Sequence, residues 1–162
     1  MNTIDAIDRA ILQILQEDGR ITNTALAEKL GLTTTPTAQR VRKLEEAGVI
    51  KRYVALVDRA AVDRGTMVWA QVTLREPDLK RHKGFIKAVS AFPEVIEMHH
   101  VAGVEDFVLK VIVRDIAAYE EWVLHKLIQV PGISTVHSTF VLSTSKSESA
   151  IPIRPEPDGD AS

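Results

Sequence analysis

The sequence lacks cysteine altogether, which excludes a disulfide framework, a thiolate nucleophile and a cysteine-ligated metal centre. It also lacks long apolar runs, since no stretch approaches the ~20 residues that a membrane-spanning helix needs. The N-terminus carries Asp5 and Asp8 where a secretory signal peptide needs basic residues. Glycine-rich phosphate loops, a His-Glu-x-x-His helix and a recognisable catalytic triad are missing as well. These absences favour a cytoplasmic protein without enzymatic activity.

The charge is nearly balanced overall and unevenly divided along the chain. The formal net charge is −2 and the isoelectric point is about 6.2. Residues 1–57 hold 8 Lys/Arg against 7 Asp/Glu, whereas residues 58–162 hold 12 against 15. A protein of this composition that binds nucleic acid must therefore do so through a local basic patch.

The N-terminal third has the pattern of three short helices. Apolar residues recur at helical spacing from Ile4 to Leu15, which predicts a first helix. The segment 23–48 then predicts a second short helix, a turn at Gly31 and a third helix with Pro36 in its first turn, where the missing amide costs no hydrogen bond. This is the outline of a helix-turn-helix. The alternation in the run VIKRYVALVD, residues 49–58, predicts a strand or wing after it.

The third helix has one apolar stripe and one polar face. Thr37, Val41 and Leu44 form the inward stripe, while Gln39 and Arg42 point outward among other polar side chains. Arg, Gln and Thr can bond base edges in a major groove, and Lys and flanking Arg neutralise phosphates. The candidate DNA-contacting residues are Thr34, Thr35, Thr37, Gln39, Arg40, Arg42, Lys43, Lys51 and Arg52. The alternative, an ordinary solvated helix of a small helical domain, is disfavoured by this basic cluster.

The remainder of the chain predicts a second, α+β domain. After a polar connector, strand and helix patterns follow each other in the order β-α-β-β-α-β, which is that of a ferredoxin-like sandwich. The predicted organisation is a helix-turn-helix domain at 1–48, a strand and linker at 49–65, the ferredoxin-like domain at 66–142 and a polar, mobile tail at 143–162. The strand from Phe107 to Val113 is apolar on both faces apart from Lys110, which predicts burial on both sides. A homodimer with face-to-face sheets would provide it.

Polar residues at the ends of these strands are candidate ligand contacts. Gly103 and Asp106 frame a turn that is either a plain hairpin loop or a site for a zwitterion, with the carboxylate accepting from an ammonium. Thr135 and Ser138 on the last strand either line such a site or face water. His99 and His100 are adjacent on a strand and point to opposite faces, so the pair cannot chelate one metal ion. His100 remains a candidate contact for a small effector.

Several motifs in one order resemble the Lrp/AsnC family of leucine-responsive and asparagine-responsive regulators. In the first domain they are IDAIDRAILQILQEDGR, the Gly31-Leu32 turn, RVxxLExxGVI from Arg40 and YxAxVD from Tyr53. In the second they are VxGxxDF from Val101 and the segment from Pro131-Gly132-Ile133 to Val141-Leu142. The sequence departs from the family at two places. The recognition segment is TTTPT at 33–37, whereas that of relatives often begins with Ser-Pro, and the tail after Leu142 follows no family pattern.

The resemblance implies a winged helix-turn-helix joined to an effector-binding domain. It implies dimers that assemble further into tetramers or octamers and respond to an amino acid. From the motifs themselves we expect no cofactor and no metal. The resemblance implies that the loop from Gly103 to Asp106 lines the effector site. The full set of candidate effector-binding residues is His100, Val101, Gly103, Asp106, Thr135 and Ser138. We therefore expect a transcriptional regulator that binds double-stranded DNA and responds to an amino acid. The alternatives are a DNA-packaging protein of low sequence preference and, from the second domain alone, an enzyme or metabolic sensor.

Overall fold

The computed structural model describes residues 4–75 and 78–153, which form two compact units. Of the described residues, the first unit comprises 4–56 and 146–153, and the second lies within Val57–Ser145. The main elements are α1 (Ala6–Glu17), α2 (Asn23–Leu30), α3 (Thr34–Glu46), β1 (Thr66–Leu74), α4 (Leu79–Val89), β2 (Val95–His100), β3 (Phe107–Val113), α5 (Ile116–His125) and β4 (Ile133–Phe140). In the described part of the chain, no helix combines the length and the apolar character that crossing a membrane requires.

The first unit is the predicted group of three helices. At the start of α1, Asp5 accepts a hydrogen bond from the Asp8 amide at 2.8 Å, and Asp8 accepts one from the Asp5 amide, so both free amides are satisfied. Gly31 ends α2 in the left-handed conformation with φ of 66°. The apolar core beneath the helices is formed by Ile11, Leu26, Val41 and Leu44. The predicted helix-turn-helix is confirmed.

The strand predicted for residues 49–57 is wrong. Residues 51–58 have no regular secondary structure, and the large apolar side chains of Val54, Leu56 and Val57 are exposed. Alternating polarity reports which side chains prefer burial, but a strand also needs a neighbouring strand as hydrogen-bond partner. Among the described residues, the four strands of the sheet all lie between Thr66 and Phe140 and none pairs with this segment.

The second unit is a four-stranded antiparallel sheet covered on one face by α4 and α5. The strand order is β2-β3-β1-β4, so the two strands that begin each β-α-β half lie side by side in the centre. Alternate side chains of β1 and β3, among them Val68, Val72, Leu109 and Val111, pack with Phe85 of α4 in an apolar core. The predicted β-α-β-β-α-β order is confirmed, and the fold is α+β.

The uncovered face of the sheet is more polar than the sequence pattern of β3 predicts. Lys110 lies at its centre, with Nζ 2.7 Å from Glu97 Oε1 and 5.7 Å from the ring centroid of Trp69. Gln71 and its register partner His137 lie on the same face. This surface combines an ion pair and a cation-π contact with apolar side chains.

Candidate functional site

The outward face of α3 is open to solvent, as the helix-turn-helix prediction requires. Its N-terminal Thr34 and Thr35, and Gln39, Arg42 and Lys43 further along, are all exposed. The opposite stripe is buried against α1 and α2 through Val41 and Leu44. A helix held by one face and bare on the other can enter a major groove without rearrangement. Lys51 and Arg52, which follow the helix, are exposed as well.

Two predicted DNA-contacting residues have other roles in the structure. Thr37 is completely buried, and its hydroxyl donates to the Thr33 carbonyl at 2.9 Å, so its inclusion in the DNA-contacting set is wrong. Arg40 is two-thirds covered, with Nη1 2.6 Å from Asp5 Oδ2 and 2.9 Å from Asp8 Oδ1. These two ion pairs therefore link α3 to the first turn of α1. The Asp8 amide and then Arg40 hold the pKa of Asp5 below its usual range.

Arg42 is exposed and only loosely engaged. Its Nε donates to Glu46 Oε1 at 2.9 Å, and the two side chains are 78% and 63% exposed. An exposed pair four residues apart on a helix contributes only about 0.3 to 0.5 kcal/mol, so a base or phosphate can displace Glu46 from Arg42. On the same helix Glu45 accepts from the Tyr53 hydroxyl at 2.9 Å. Burial and then the Glu45 hydrogen bond raise the pKa of Tyr53 to about 12.

The Gly103 to Asp106 turn is tied to the end of β1 by two hydrogen bonds and is closed by a third. The Asp106 amide donates to the Val72 carbonyl at 3.0 Å, and Asp106 Oδ2 accepts from the Leu74 amide at 2.7 Å. Val101 closes the turn by donating to the Asp106 carbonyl at 3.0 Å. Gly103 does not have a positive φ, and a Cβ built there meets nothing within 4 Å. The fold itself therefore does not require glycine at this position.

The other predicted effector residues do not form one cluster. Thr135 is opposite Thr73 in the sheet register and on the uncovered face, and β1 lies between it and the turn. Ser138 is opposite Ala70 on the helix-covered face, where its Oγ lies 2.7 Å from the Tyr119 hydroxyl. Grouping Thr135 with Ser138 in one site is therefore wrong, because the strand alternation sends them to opposite faces. His100 ends β2 next to the turn and contacts α4.

Sequence reasoning missed His82 of α4 as a neighbour of His100. The two Nε2 atoms are 3.3 Å apart, although the residues are 18 positions apart in the chain. Both rings lie near Phe107, with centroid distances of 5.1 Å for His82 and 5.2 Å for His100. The alternation of side chains along β2 sends His99 and His100 to opposite faces of the sheet. It gives no information about which residue of a helix packs over the strand.

The two units together define a DNA-binding regulator that has a separate ligand-binding domain. The family model of the winged helix-turn-helix DNA-binding domain matches residues 4–51, and that of the Lrp/AsnC ligand binding domain matches residues 67–151. The chain belongs to the Lrp/AsnC family of transcriptional regulators. The second match passes Leu142, so the family pattern includes part of the tail that the sequence analysis placed outside it.

Individual relatives cover nearly the whole chain. The leucine-responsive regulatory protein of Rhizobium meliloti is 36% identical over 143 residues, which are 88% of this chain and 92% of that protein. A transcriptional regulator from Neisseria meningitidis, solved in complex with L-methionine, has a TM-score of 0.89 at 33% identity and covers 93% of this chain and 97% of its own. An AsnC family regulator from Agrobacterium tumefaciens has a TM-score of 0.87 at 38% identity, with coverages of 91% and 96%.

Proposed function

We propose that this regulator reads DNA with the outward face of α3. The observation that carries the proposal is the exposure of Thr35, Gln39, Arg42 and Lys43 on a helix whose opposite face is buried. These side chains offer hydroxyl, amide and guanidinium groups to base edges, and Lys51 and Arg52 offer charge to phosphates. The proposed reading set thus omits Thr37, and Arg40 acts by holding α3 in place.

We further propose that the turn from Gly103 to Asp106 binds an amino acid. Asp106 uses Oδ2 to anchor the Leu74 amide, which leaves Oδ1 as the oxygen to accept from an ammonium group. Gly103 has space where a side chain would stand, and this space can hold a ligand. Thr135, on β4 across β1 from the turn, is the remaining candidate contact. L-Methionine, the ligand of the Neisseria relative, is the first amino acid to test.

The proposed active form is a homodimer or a larger homo-oligomer. Val54, Leu56 and Val57 are 63 to 79% exposed in a segment without a strand partner among the described residues. The uncovered face of the sheet presents Trp69 and Val108 beside Lys110. A second copy would bury both surfaces and would provide two α3 helices for the halves of a near-palindromic DNA site. We propose that this assembly binds DNA in the cytoplasm and carries out no catalytic step.

Comparing the protein's affinity for its own upstream DNA with that for random DNA tests the DNA-reading proposal. A sequence-specific regulator should bind its site about 10³-fold or more tighter than random DNA at physiological salt. A packaging protein should bind both DNAs similarly, with an affinity that falls steeply as salt rises. Equal affinities for the two DNAs would contradict the proposed function and favour the packaging alternative.

A thermal-shift screen against the proteinogenic amino acids tests the effector proposal. A ligand that binds only the folded state stabilises it by about 2.7 kcal/mol at 100 times its Kd. Asp106→Asn should abolish the shift while leaving the melting temperature of the free protein nearly unchanged, because the amide oxygen still accepts from Leu74. Glu105→Gln removes a neighbouring charge without affecting that anchor and should keep the shift. A full shift in Asp106→Asn would exclude Asp106 from the site.

A further inference from the structure

The contact between His82 and His100 has the geometry of a two-histidine metal site. Their Nε2 atoms are 3.3 Å apart on the surface of the second unit. Zinc bonds imidazole nitrogen at about 2.0 to 2.1 Å, so an ion equidistant from nitrogens 3.3 Å apart makes a nitrogen-metal-nitrogen angle of about 107°. That angle is close to the tetrahedral value of about 109° which zinc prefers.

We propose that His82 and His100 bind a divalent transition-metal ion of the zinc type. Borderline ions of this class prefer imidazole, whereas Mg²⁺ and Ca²⁺ prefer oxygen ligands. This site is distinct in chemistry from the amino-acid site and does not depend on it.

The two imidazoles are positioned by the fold as well as by each other. His82 is on α4 and His100 is the last residue of β2, so each is carried by a regular element. Both rings pack near the ring of Phe107, which is 1% exposed and itself packs against Phe85. A buried aromatic shared by both ligands limits their rotation, which reduces the entropy lost on binding an ion.

The ion would keep open coordination positions. Among the residues that the structure describes, no group of three His, Cys, Asp or Glu side chains is arranged to hold a metal. Two protein ligands leave water or an external ligand in the remaining positions, as in open rather than closed zinc sites. The affinity should therefore be lower than that of a structural zinc site, which has four protein ligands. His100 directly precedes Val101, where the turn begins, so a bound ion would lie next to the proposed effector loop.

Calorimetric titration of the tag-free, full-length chain with Zn²⁺ tests this proposal, and Mg²⁺ serves as the control ion. Wild type should bind one equivalent of Zn²⁺ and should not bind Mg²⁺. His82→Gln and His100→Gln should each weaken Zn²⁺ binding at least about tenfold, because each removes one of two ligands. His99→Gln is the matched control, since His99 is exposed on the same strand and faces away from His82. It should bind as wild type does.

Several results would overturn the metal proposal. The proposal fails if wild type does not bind one equivalent of Zn²⁺, or if it binds Mg²⁺ equally well. It also fails if His82→Gln or His100→Gln keeps the wild-type affinity for Zn²⁺, or if His99→Gln loses as much Zn²⁺ affinity as His100→Gln. The melting temperature of each variant, measured without metal, shows whether it is folded. Glutamine keeps most of the side-chain volume against Phe107, so the variants should fold. The calorimetric readout is independent of DNA and amino-acid binding, so failure here leaves the proposed function untouched.

Discussion

The side-chain amide of Gln16 makes two hydrogen bonds to the main chain of Ile151. Its Oε1 accepts from the Ile151 amide at 2.6 Å, and its Nε2 donates to the Ile151 carbonyl at 3.0 Å. One side-chain amide thereby makes the two hydrogen bonds that a neighbouring strand could make with residue 151. The tail, whose mobility stays a prediction, is thus hydrogen-bonded to α1 at this position, and residues 154–162 lie outside the described part of the chain.

Gln16→Ala should release the tail from α1. An intramolecular hydrogen bond contributes about 0.5 to 1.5 kcal/mol, and since water competes for both of these exposed bonds each should lie near the lower limit, so the free energy of unfolding should fall by about 1 kcal/mol. The larger effect should be faster proteolysis within residues 146–153, measured by limited digestion and mass spectrometry. Gln13→Ala, an exposed glutamine one turn earlier on α1, is the control. If both variants are cut at the wild-type rate, the contact does not hold the tail.

Thr37→Val should reduce stability modestly and leave DNA binding intact. The substitution keeps the buried shape and removes the hydroxyl that donates to Thr33, which should cost about 1 kcal/mol in the free energy of unfolding. Thr35→Val, on the exposed face two residues earlier, should show the opposite pattern, with unchanged stability and weaker binding to specific DNA. Denaturant unfolding and DNA titration of both variants provide the measurement. Weaker DNA binding by stably folded Thr37→Val would reinstate Thr37 as a contact.

Arg40→Ala should destabilise the first unit. It leaves Asp5 and Asp8 without their shared cation, and since all three side chains are partly exposed the loss should be about 1 kcal/mol. Urea unfolding followed by circular dichroism measures it. An unchanged unfolding midpoint together with weaker DNA binding would mean that Arg40 leaves the carboxylates and contacts DNA directly.

The ion pair of Glu97 and Lys110 should make part of the stability depend on pH. The hydrogen bond from Lys110 holds the pKa of Glu97 below its ordinary value of 4.5, against the opposing effect of burial. The folded state then binds fewer protons than the unfolded state, so this contribution is complete above about pH 4.5 and is lost as the pH falls through the folded pKa.

Glu97→Gln isolates that contribution, because the other carboxylates titrate alike in both proteins. The difference in unfolding free energy between wild type and variant should shrink as the pH falls below about 4.5, as measured by urea unfolding across a pH series. A difference that stays constant or grows at lower pH would show that Glu97 is not stabilised in its ionised form.

The elements that local sequence signals specify were predictable. The capping pair Asp5 and Asp8, the left-handed Gly31 and the apolar spacing of α3 act within a few residues of each other, so the helix-turn-helix could be recognised. The alternation of β1 and the apolar run of β3 likewise predicted buried strands, since each pairs with partners in the same sheet.

Contacts between distant parts of the chain were not predictable in this way. His82 meets His100, and Gln16 meets Ile151, through packing between elements that no local period encodes. The segment 49–57 has the polarity of a strand, but the polarity carries no information about a pairing partner. Thr135 and Ser138 are both polar, and only the register of β4 against β1 shows that they face opposite sides of the sheet.

A fluorescence anisotropy titration of the upstream DNA site with wild type and Arg42→Ala tests whether the outward face of α3 reads DNA. The variant should bind with about 1 to 3 kcal/mol less free energy and should unfold at the wild-type midpoint, since Arg42 is exposed and its ion pair with Glu46 is exposed too. Lys87→Ala, which removes an exposed positive charge from α4 in the second unit, should bind as wild type does. Equal affinities of wild type and Arg42→Ala would contradict the claim that the outward face of α3 reads DNA.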